Sequence, residues 1–160
     1  MKRERDYHMN HTTKKHADAL EDILKKDIDK AKTNEALDVA EQLACETAYL
    51  LAQSIIKEHE DNLVFPNVSK PANYLYKENP IWGDKTGQIS MDSIRKERNN
   101  TSDMAIGCRN RMCVTSDADE FVQMYEGLLY HIHRTVSLTR HIKGLRLLEI
   151  KAPTWRSIPL

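Results

Sequence analysis

Two stretches of this chain repeat apolar residues every three or four positions, and this spacing limits its fold more than any other feature. The stretches are residues 12–60 and 116–149, and residues 61–115 between them lack the pattern. Apolar residues at such intervals gather on one face of an α-helix, whereas a half-buried strand alternates them. We therefore predict two helical blocks that bury their apolar faces against each other.

The first block is predicted to hold two helices separated at residues 32–34. The first helix begins near Thr12 or Thr13, either of which can serve as its N-cap. The second is capped by Thr33 or Asn34, because such side chains accept hydrogen bonds from the free N–H groups of a first turn. The apolar residues of the second helix are Leu37, Ala40, Leu43, Ala44, Cys45, Ala48, Leu51, Ala52 and Ile55. Their wide, alanine-rich arc predicts close contact with more than one neighbouring helix.

The second block, 116–149, is predicted to be one long helix that begins near Ser116, where Ser116 to Asp119 resemble a capping box. Its apolar side is formed by Phe121, Met124, Tyr125, Leu128, Ile132, Thr135, Val136, Thr139 and Ile142. Gly144 can end or bend this helix, since glycine readily adopts the left-handed conformation found after helix ends. Residues 150–160 contain two prolines and are predicted to be an irregular tail.

Residues 61–115 contain three of the five prolines and three of the five glycines of the chain. Residues 62–65 and 74–76 are candidate strands that could form a short hairpin, and residues 91–98 are a candidate short helix. A run of this length without structure is unusual in a compact domain. We therefore predict an irregular middle segment that packs across the helices.

The predicted fold is mainly α, with three principal helices in an antiparallel bundle and the middle segment packed across it. The whole chain, 1–160, is expected to be a single domain, because 160 residues suit one hydrophobic core. Residues 1–11 are expected to be flexible, since chain ends fray when nothing anchors them.

Composition excludes several classes of protein. Hydrophobic residues make up 40% and charged residues 30% of the chain, a balance that supports a core and argues against disorder. No run approaches the roughly 20 apolar residues of a membrane-spanning helix, and no apolar region of a secretory signal follows the charged start. An odd number of cysteines favours reduced thiols over a disulfide framework. We expect a cytoplasmic protein without a membrane partner.

Charge is unevenly distributed although the net charge is zero. Residues 34–61 hold seven acids against one lysine, and residues 131–160 hold six bases against one glutamate. Two helices whose charged faces attract each other would explain the pattern, and a charged partner surface is the alternative. Bases opposite the apolar side of the last helix could bind nucleic-acid phosphates or an acidic protein, or simply complement the helix dipole. The candidate binding residues are His133, Arg134, Arg140, His141, Arg146 and Lys151.

Three polar residues fall on helix faces that are predicted to be buried: Asp27, Glu41 and His131. They could form an acid–histidine cluster for general acid–base catalysis. The interpretation we favour is that the carboxylates turn toward the rim, because an isolated buried charge costs on the order of several kcal/mol. Thr135 and Thr139 would then bond to preceding carbonyls of their own helix.

Two cysteines are candidates for chemistry. Cys108 and Cys113 have four residues between them, which is at the long end of zinc-ligand spacing. Arg109 and Arg111 would lower a thiol pKa and so favour a nucleophile. The sequence places neither a base nor a full ligand set, so two ordinary thiols are preferred, and no metal or cofactor is predicted.

No phosphate-binding glycine loop, G-x-S-x-G or H-E-x-x-H motif occurs in the chain. The leading hypothesis is therefore a non-enzymatic helical interaction or regulatory protein that binds another protein and can form a homodimer. One alternative is a nucleic-acid-binding protein that uses the basic face of the last helix. The other is a helical-bundle enzyme with a buried Asp/Glu/His cluster, and an enzyme is the less favoured class.

Overall fold

A computed structural model describes residues 10–59, 68 and 90–145. The helices of this part of the chain are α1 (His11–Asp22), α2 (Ile28–Lys30), α3 (Asn34–Glu58), α4 (Met91–Val114) and α5 (Ala118–Ile142). A π-helical turn, Ile23–Asp27, joins α1 to α2 without a break. The described residues therefore form four helical rods and no β-strand.

The mainly α prediction is confirmed, but the described residues form four principal helices rather than three. The additional helix is α4, which contains the candidate short helix at 91–98 and continues to Val114, so the prediction of an irregular segment is wrong for residues 99–114. The buried positions of α4 include Thr101, Ser102 and Arg109 beside apolar residues. Because polar side chains occupy much of its buried face, apolar periodicity does not reveal the full length of this helix.

Several predictions fall on residues that the structure does not describe. These are residues 1–9 of the flexible start predicted over 1–11, the candidate strands at 62–65 and 74–76, and the tail from residue 150. The remaining two residues of that start, Asn10 and His11, are the cap and the first residue of α1.

The start of α1 is tied to the end of α3. Asn10 caps α1 by accepting a hydrogen bond from the Thr13 amide at 2.8 Å, which corrects the prediction of a cap at Thr12 or Thr13. The hydroxyl of Thr13 instead bonds to Ser54 and Glu58 of α3. The first helix therefore begins slightly earlier than predicted, and Thr13 joins two helices.

The starts of α3 and α5 also have side-chain caps. Thr33 caps α3 as predicted, accepting from the Ala36 amide at 3.1 Å. Asp117 rather than Ser116 caps α5, accepting from the Glu120 amide at 3.1 Å. A carboxylate at this position also interacts favourably with the positive end of the helix dipole.

Gly144 ends α5, as the sequence predicts. Its φ of 68° is the left-handed conformation that glycine adopts without strain. The Leu145 amide donates to the Arg140 carbonyl at 2.9 Å and the Gly144 amide donates to the His141 carbonyl at 3.1 Å. This Schellman motif closes the helix at Ile142, so the helix predicted to reach residue 149 is shorter.

Contacts between helix ends give the direction of each helix. Thr13 at the start of α1 meets Glu58 at the end of α3, so these helices are antiparallel. Asn34 at the start of α3 accepts from Arg140 at the end of α5, so α3 and α5 are antiparallel as well.

The fourth helix, α4, closes the bundle between α5 and α1. Arg98 near its start bonds to Asp29 of α2 and to Thr139 of α5, whereas Arg109 near its end donates to the Ala17 carbonyl of α1. Each helix is therefore antiparallel to both neighbours in the order α1, α3, α5, α4. Since α3 and α4 are consecutive in the chain but parallel, the topology is that of bundles with a long crossover connection.

The most extensive helix contact is between α4 and α5. A Cβ atom on Gly127 would lie 3.2 Å from Cys108 Sγ, so the missing side chain allows the two helices to approach closely. At the connection between them, Glu120 accepts from Arg111 Nε at 2.8 Å and from the Thr115 hydroxyl. These bonds satisfy a carboxylate that is itself buried.

The core lies between the four rods, and α3 packs on both α1 and α5, which confirms more than one neighbour for this helix. Eight of the nine apolar residues predicted for its buried arc are buried, and Leu43 is the exception. On α5 the hydroxyls of Thr135 and Thr139 donate to carbonyls four residues earlier at 2.7 Å, as predicted. Among the described helices, none has the length and apolarity needed to cross a bilayer.

The π-helical turn explains why Asp27 is exposed although α-helical spacing places it on the buried face. A π turn has one residue more per hydrogen-bonded turn than an α-helix. The Ile28 amide accordingly bonds to the Ile23 carbonyl. The wider turn rotates Asp27 toward solvent while Ile28 and Ala31 stay in the core.

Candidate functional site

The polar side of α5 faces other helices of the bundle. His133 Nδ1 lies 2.9 Å from Glu41 Oε2 of α3. Arg134 Nη2 donates to Glu97 Oε1 of α4 at 3.0 Å, and its other terminal nitrogen is 3.4 Å from the Tyr130 hydroxyl. These two candidate binding residues therefore join α5 to its neighbours on either side.

Arg140, another candidate, is buried rather than on an outer face, which corrects its predicted position. Its guanidinium donates to Asn34 Oδ1 at 2.7 Å and to Asp38 Oδ1 at 2.9 Å, both at the start of α3. His141 is half-buried one residue further along α5. Donation to two side chains at once suits arginine, because its planar guanidinium carries several N–H donors in a fixed geometry.

The ion pairs account for the opposite charges of the two blocks. Acids of α3 meet bases of α5 in the Asp38–Arg140 and Glu41–His133 contacts. The interpretation of two helices that attract each other is therefore supported for these residues. Arg146 and Lys151 lie outside the described residues, and a role of the basic face in binding nucleic acid or an acidic protein stays a prediction.

The residues of the predicted acid–histidine cluster have separate surroundings. Asp27 is exposed on the π turn, and Glu41 contacts His133 rather than His131. His131 Nδ1 lies 2.8 Å from the hydroxyl of Thr101 on α4. Over the residues described, these contacts join helices and do not assemble a catalytic group.

His131 should make the stability of the bundle depend on pH. Burial, followed by the positive charge of Arg134, lowers the pKa of His131, while Glu97 acts in the opposite direction. The unfolded chain takes up this proton near pH 6.5 and the folded chain only at lower pH. The free energy of unfolding should therefore fall as pH drops from 7 to 5.

The check is urea unfolding at pH 7, 6 and 5 of the parent and of His131→Gln, whose stability should fall less steeply. His11→Gln, at the exposed start of α1, is the matched control and should keep the slope of the parent. Equal slopes for the parent and for His131→Gln would show that this histidine does not contribute.

Burial raises the pKa of two of the cysteine thiols. At Cys108 this opposes the nucleophile alternative, in which neighbouring arginines lower the pKa, and agrees with the preferred interpretation of an ordinary thiol. Burial, together with the charges of Glu41 and Glu46, also raises the pKa of Cys45. The Arg109 side chain donates to a carbonyl of α1. Within the ranges that the structure describes, no three or more His, Cys, Asp or Glu side chains are grouped to hold a metal ion.

A surface cleft of about 310 Å³ lies between the π turn and α4. Its lining residues are Leu24, Lys25, Asp29, Arg98, Asn99, Ser102 and Asp103. Both of its cations already have acidic partners, since Arg98 pairs with Asp29 and Lys25 with Glu21. The cleft therefore offers no unpaired cation to an anionic ligand.

The outer face of α3 carries apolar residues that the bundle leaves in solvent. Val39 is 64% exposed, Leu43 46% and Leu50 48%; we call these three residues the α3 stripe. Leu43 was predicted to lie in the core, and neither Val39 nor Leu50 was predicted to have a role. The wide apolar arc of α3 was the one sequence feature that could have indicated this exposure. Two neighbouring helices cannot cover so much of the circumference of a helix.

The α3 stripe has the spacing of a coiled-coil seam. Val39, Leu43, Glu46, Leu50 and Gln53 follow one another at alternating intervals of four and three residues. Intervals of this kind place side chains in the a and d positions of a heptad, where they insert between side chains of a second helix. Glu46 occupies the central position and is exposed.

Comparison of the chain with protein-family models, with curated proteins and with solved structures gives no match. Its function is therefore inferred from its own residues.

Proposed function

We propose that the protein is a non-enzymatic helical module that binds another protein by holding a helix of that partner against the outer face of α3. The observation that carries this proposal is the α3 stripe. Its three large apolar side chains are exposed on a helix whose opposite side already packs in the core. Contiguous exposed apolar residues at regular spacing are typical of interaction sites, whereas isolated ones are ordinary.

A partner helix suits this face because of its shape. Amphipathic helices dock through apolar anchors at intervals of three and four residues, which match Val39, Leu43 and Leu50. Removing apolar surface from water supplies about 25 cal/mol per Å². The binding free energy would therefore come from the side chains that the bundle does not use for its own stability.

The nucleic-acid alternative has weaker support from the described residues. Arg134 and Arg140 are paired with carboxylates of neighbouring helices. Binding phosphates with these side chains would require breaking contacts that join the helices.

Charged residues in the α3 stripe should abolish partner binding without unfolding the bundle. The variant Leu43→Glu/Leu50→Glu should bind its partner at least about 100-fold more weakly, because two anchors are lost and charges are buried in their place. Its melting temperature should stay within about 2 °C of the parent, since exposed positions contribute little to stability. The matched control is Met104→Glu, which alters an exposed apolar residue of α4.

The measurement is affinity capture from cell extract with the tagged full-length chain, followed by titration of the purified partner against each variant. Loss of binding in the double variant alone supports the proposal. If the parent is a dimer by light scattering and the double variant a monomer, the bound protein is a second copy. Equal capture by all variants, or a double variant that melts many degrees lower, would overturn the proposal, the latter because the chain itself then covers the face.

A further inference from the structure

The charges of α3 indicate the chemistry of the helix that binds there. Resting on the proposed function, we infer that the partner contributes a basic amphipathic helix, with a lysine or arginine in its apolar seam opposite Glu46. The acids on the α5 side of α3 have partners within the bundle, as Asp38 pairs with Arg140 and Glu41 with His133. The acids on the outer face differ from these, because no cation among the described residues pairs with them.

Glu46 and Glu35 are the exposed acids of the outer face. Glu46 is contacted by a neutral group, since Gln42 Nε2 donates to it at 3.3 Å. Among the described residues, no cation forms an ion pair with either acid. The seam therefore presents an uncompensated negative charge between Leu43 and Leu50, and a helix that covers those leucines must also cover the carboxylate.

Covering Glu46 with apolar side chains would remove water from a charge without replacing the lost hydrogen bonds, which is unfavourable. A lysine or arginine at the facing seam position restores both charge balance and hydrogen bonding, and its aliphatic stem packs beside the leucines. Polar residues at single seam positions commonly decide which helices pair. Glu46 thus acts as a selector among helices that are all apolar enough to bind.

A second copy of this chain fits less well. Antiparallel pairing of two α3 helices would bring Val39 against Leu50 of the other copy, but it would also bury both Glu46 side chains against Leu43. Parallel pairing would bring the two glutamates together. Either arrangement leaves two acids at the centre of the interface without a cation, so self-association is disfavoured.

The test uses three synthetic three-heptad helical peptides that differ only at the central seam residue, which is Lys, Gln or Glu. Because Glu46 lies at the middle of the α3 stripe, the central residue faces it in either peptide direction. The full-length chain should bind the Lys peptide about tenfold more tightly than the Glu peptide at low salt. The difference should shrink as salt is raised, although less than for an exposed ion pair, because a pair covered by the seam is only partly screened.

Glu46→Lys should reverse the order of the peptides, and Asp103→Lys, with the same charge change at an exposed position of α4, should leave it unaltered. Glu46→Leu should shift the chain toward a dimer in light scattering, because the selector is removed. Equal binding of all three peptides, or of none, overturns the inference. The proposed function is judged separately, by whether Leu43→Glu/Leu50→Glu loses its captured partner.

Discussion

Replacing Leu51 with alanine should lower the free energy of unfolding by about 3 kcal/mol. Leu51 is fully buried in the middle of α3, between the helices that pack on either side. Truncating such a leucine removes its transfer free energy and leaves a cavity that the core fills only in part. For a chain of this length the melting temperature should fall by roughly 6–12 °C.

The adjacent residue is the control. Leu50→Ala removes the same atoms from the same helix, but Leu50 is 48% exposed, so the change in stability should stay within about 0.5 kcal/mol. Urea unfolding of both variants gives the comparison. Similar losses for Leu50 and Leu51 would mean that the outer face of α3 is covered in the folded chain, which would also remove the basis of the α3 stripe.

Replacing Arg109 with alanine should destabilise the bundle by about 2 kcal/mol. The side chain is 7% exposed, and its Nε donates to the Ala17 carbonyl of α1 at 2.9 Å. Its ion pairs with Asp18 and Glu21 contribute less, because both carboxylates are partly in solvent. The loss comes mainly from the buried hydrogen bond and from the packed aliphatic stem.

Arg95→Ala is the matched control on the same helix. Arg95 is also paired with an acid, Asp92, but it is 57% exposed and the charged atoms are 3.8 Å apart. Its removal should leave the free energy of unfolding within about 0.5 kcal/mol of the parent. Equal effects of the two substitutions in urea unfolding would contradict the role of Arg109 in joining α4 to α1.

Much of α1, α3 and α5 can be predicted from the sequence, because a helix that buries one apolar face repeats its apolar residues locally. The threonine at 33 and the glycine at 144 mark ends of helices for equally local reasons, one as an acceptor for free amides and the other as a residue that tolerates positive φ. The π turn could not be predicted from this spacing. Its one additional residue shifts every later side chain around the helix and moves Asp27 into solvent.

The candidate site could be predicted only in part. Arg140 resembles any other base on a polar face, and its burial depends on Asn34 and Asp38 at a distant position in the chain. Conversely, Leu43 resembles a core residue, and it is exposed because the neighbouring helices do not pack over that part of α3. Both assignments require knowing which helices are neighbours.

The helical spacing of apolar residues in 12–60 and 116–149 therefore determines that helices form there and which face of each is apolar, since these properties repeat within a few turns. The tertiary structure alone decides that the polar helix α4 completes the bundle and that Arg109 is buried within it. It also decides that one part of the apolar surface of α3 is left uncovered. The physical reason is that burial is shared between elements: a side chain is removed from water only when residues far away in the sequence pack over it.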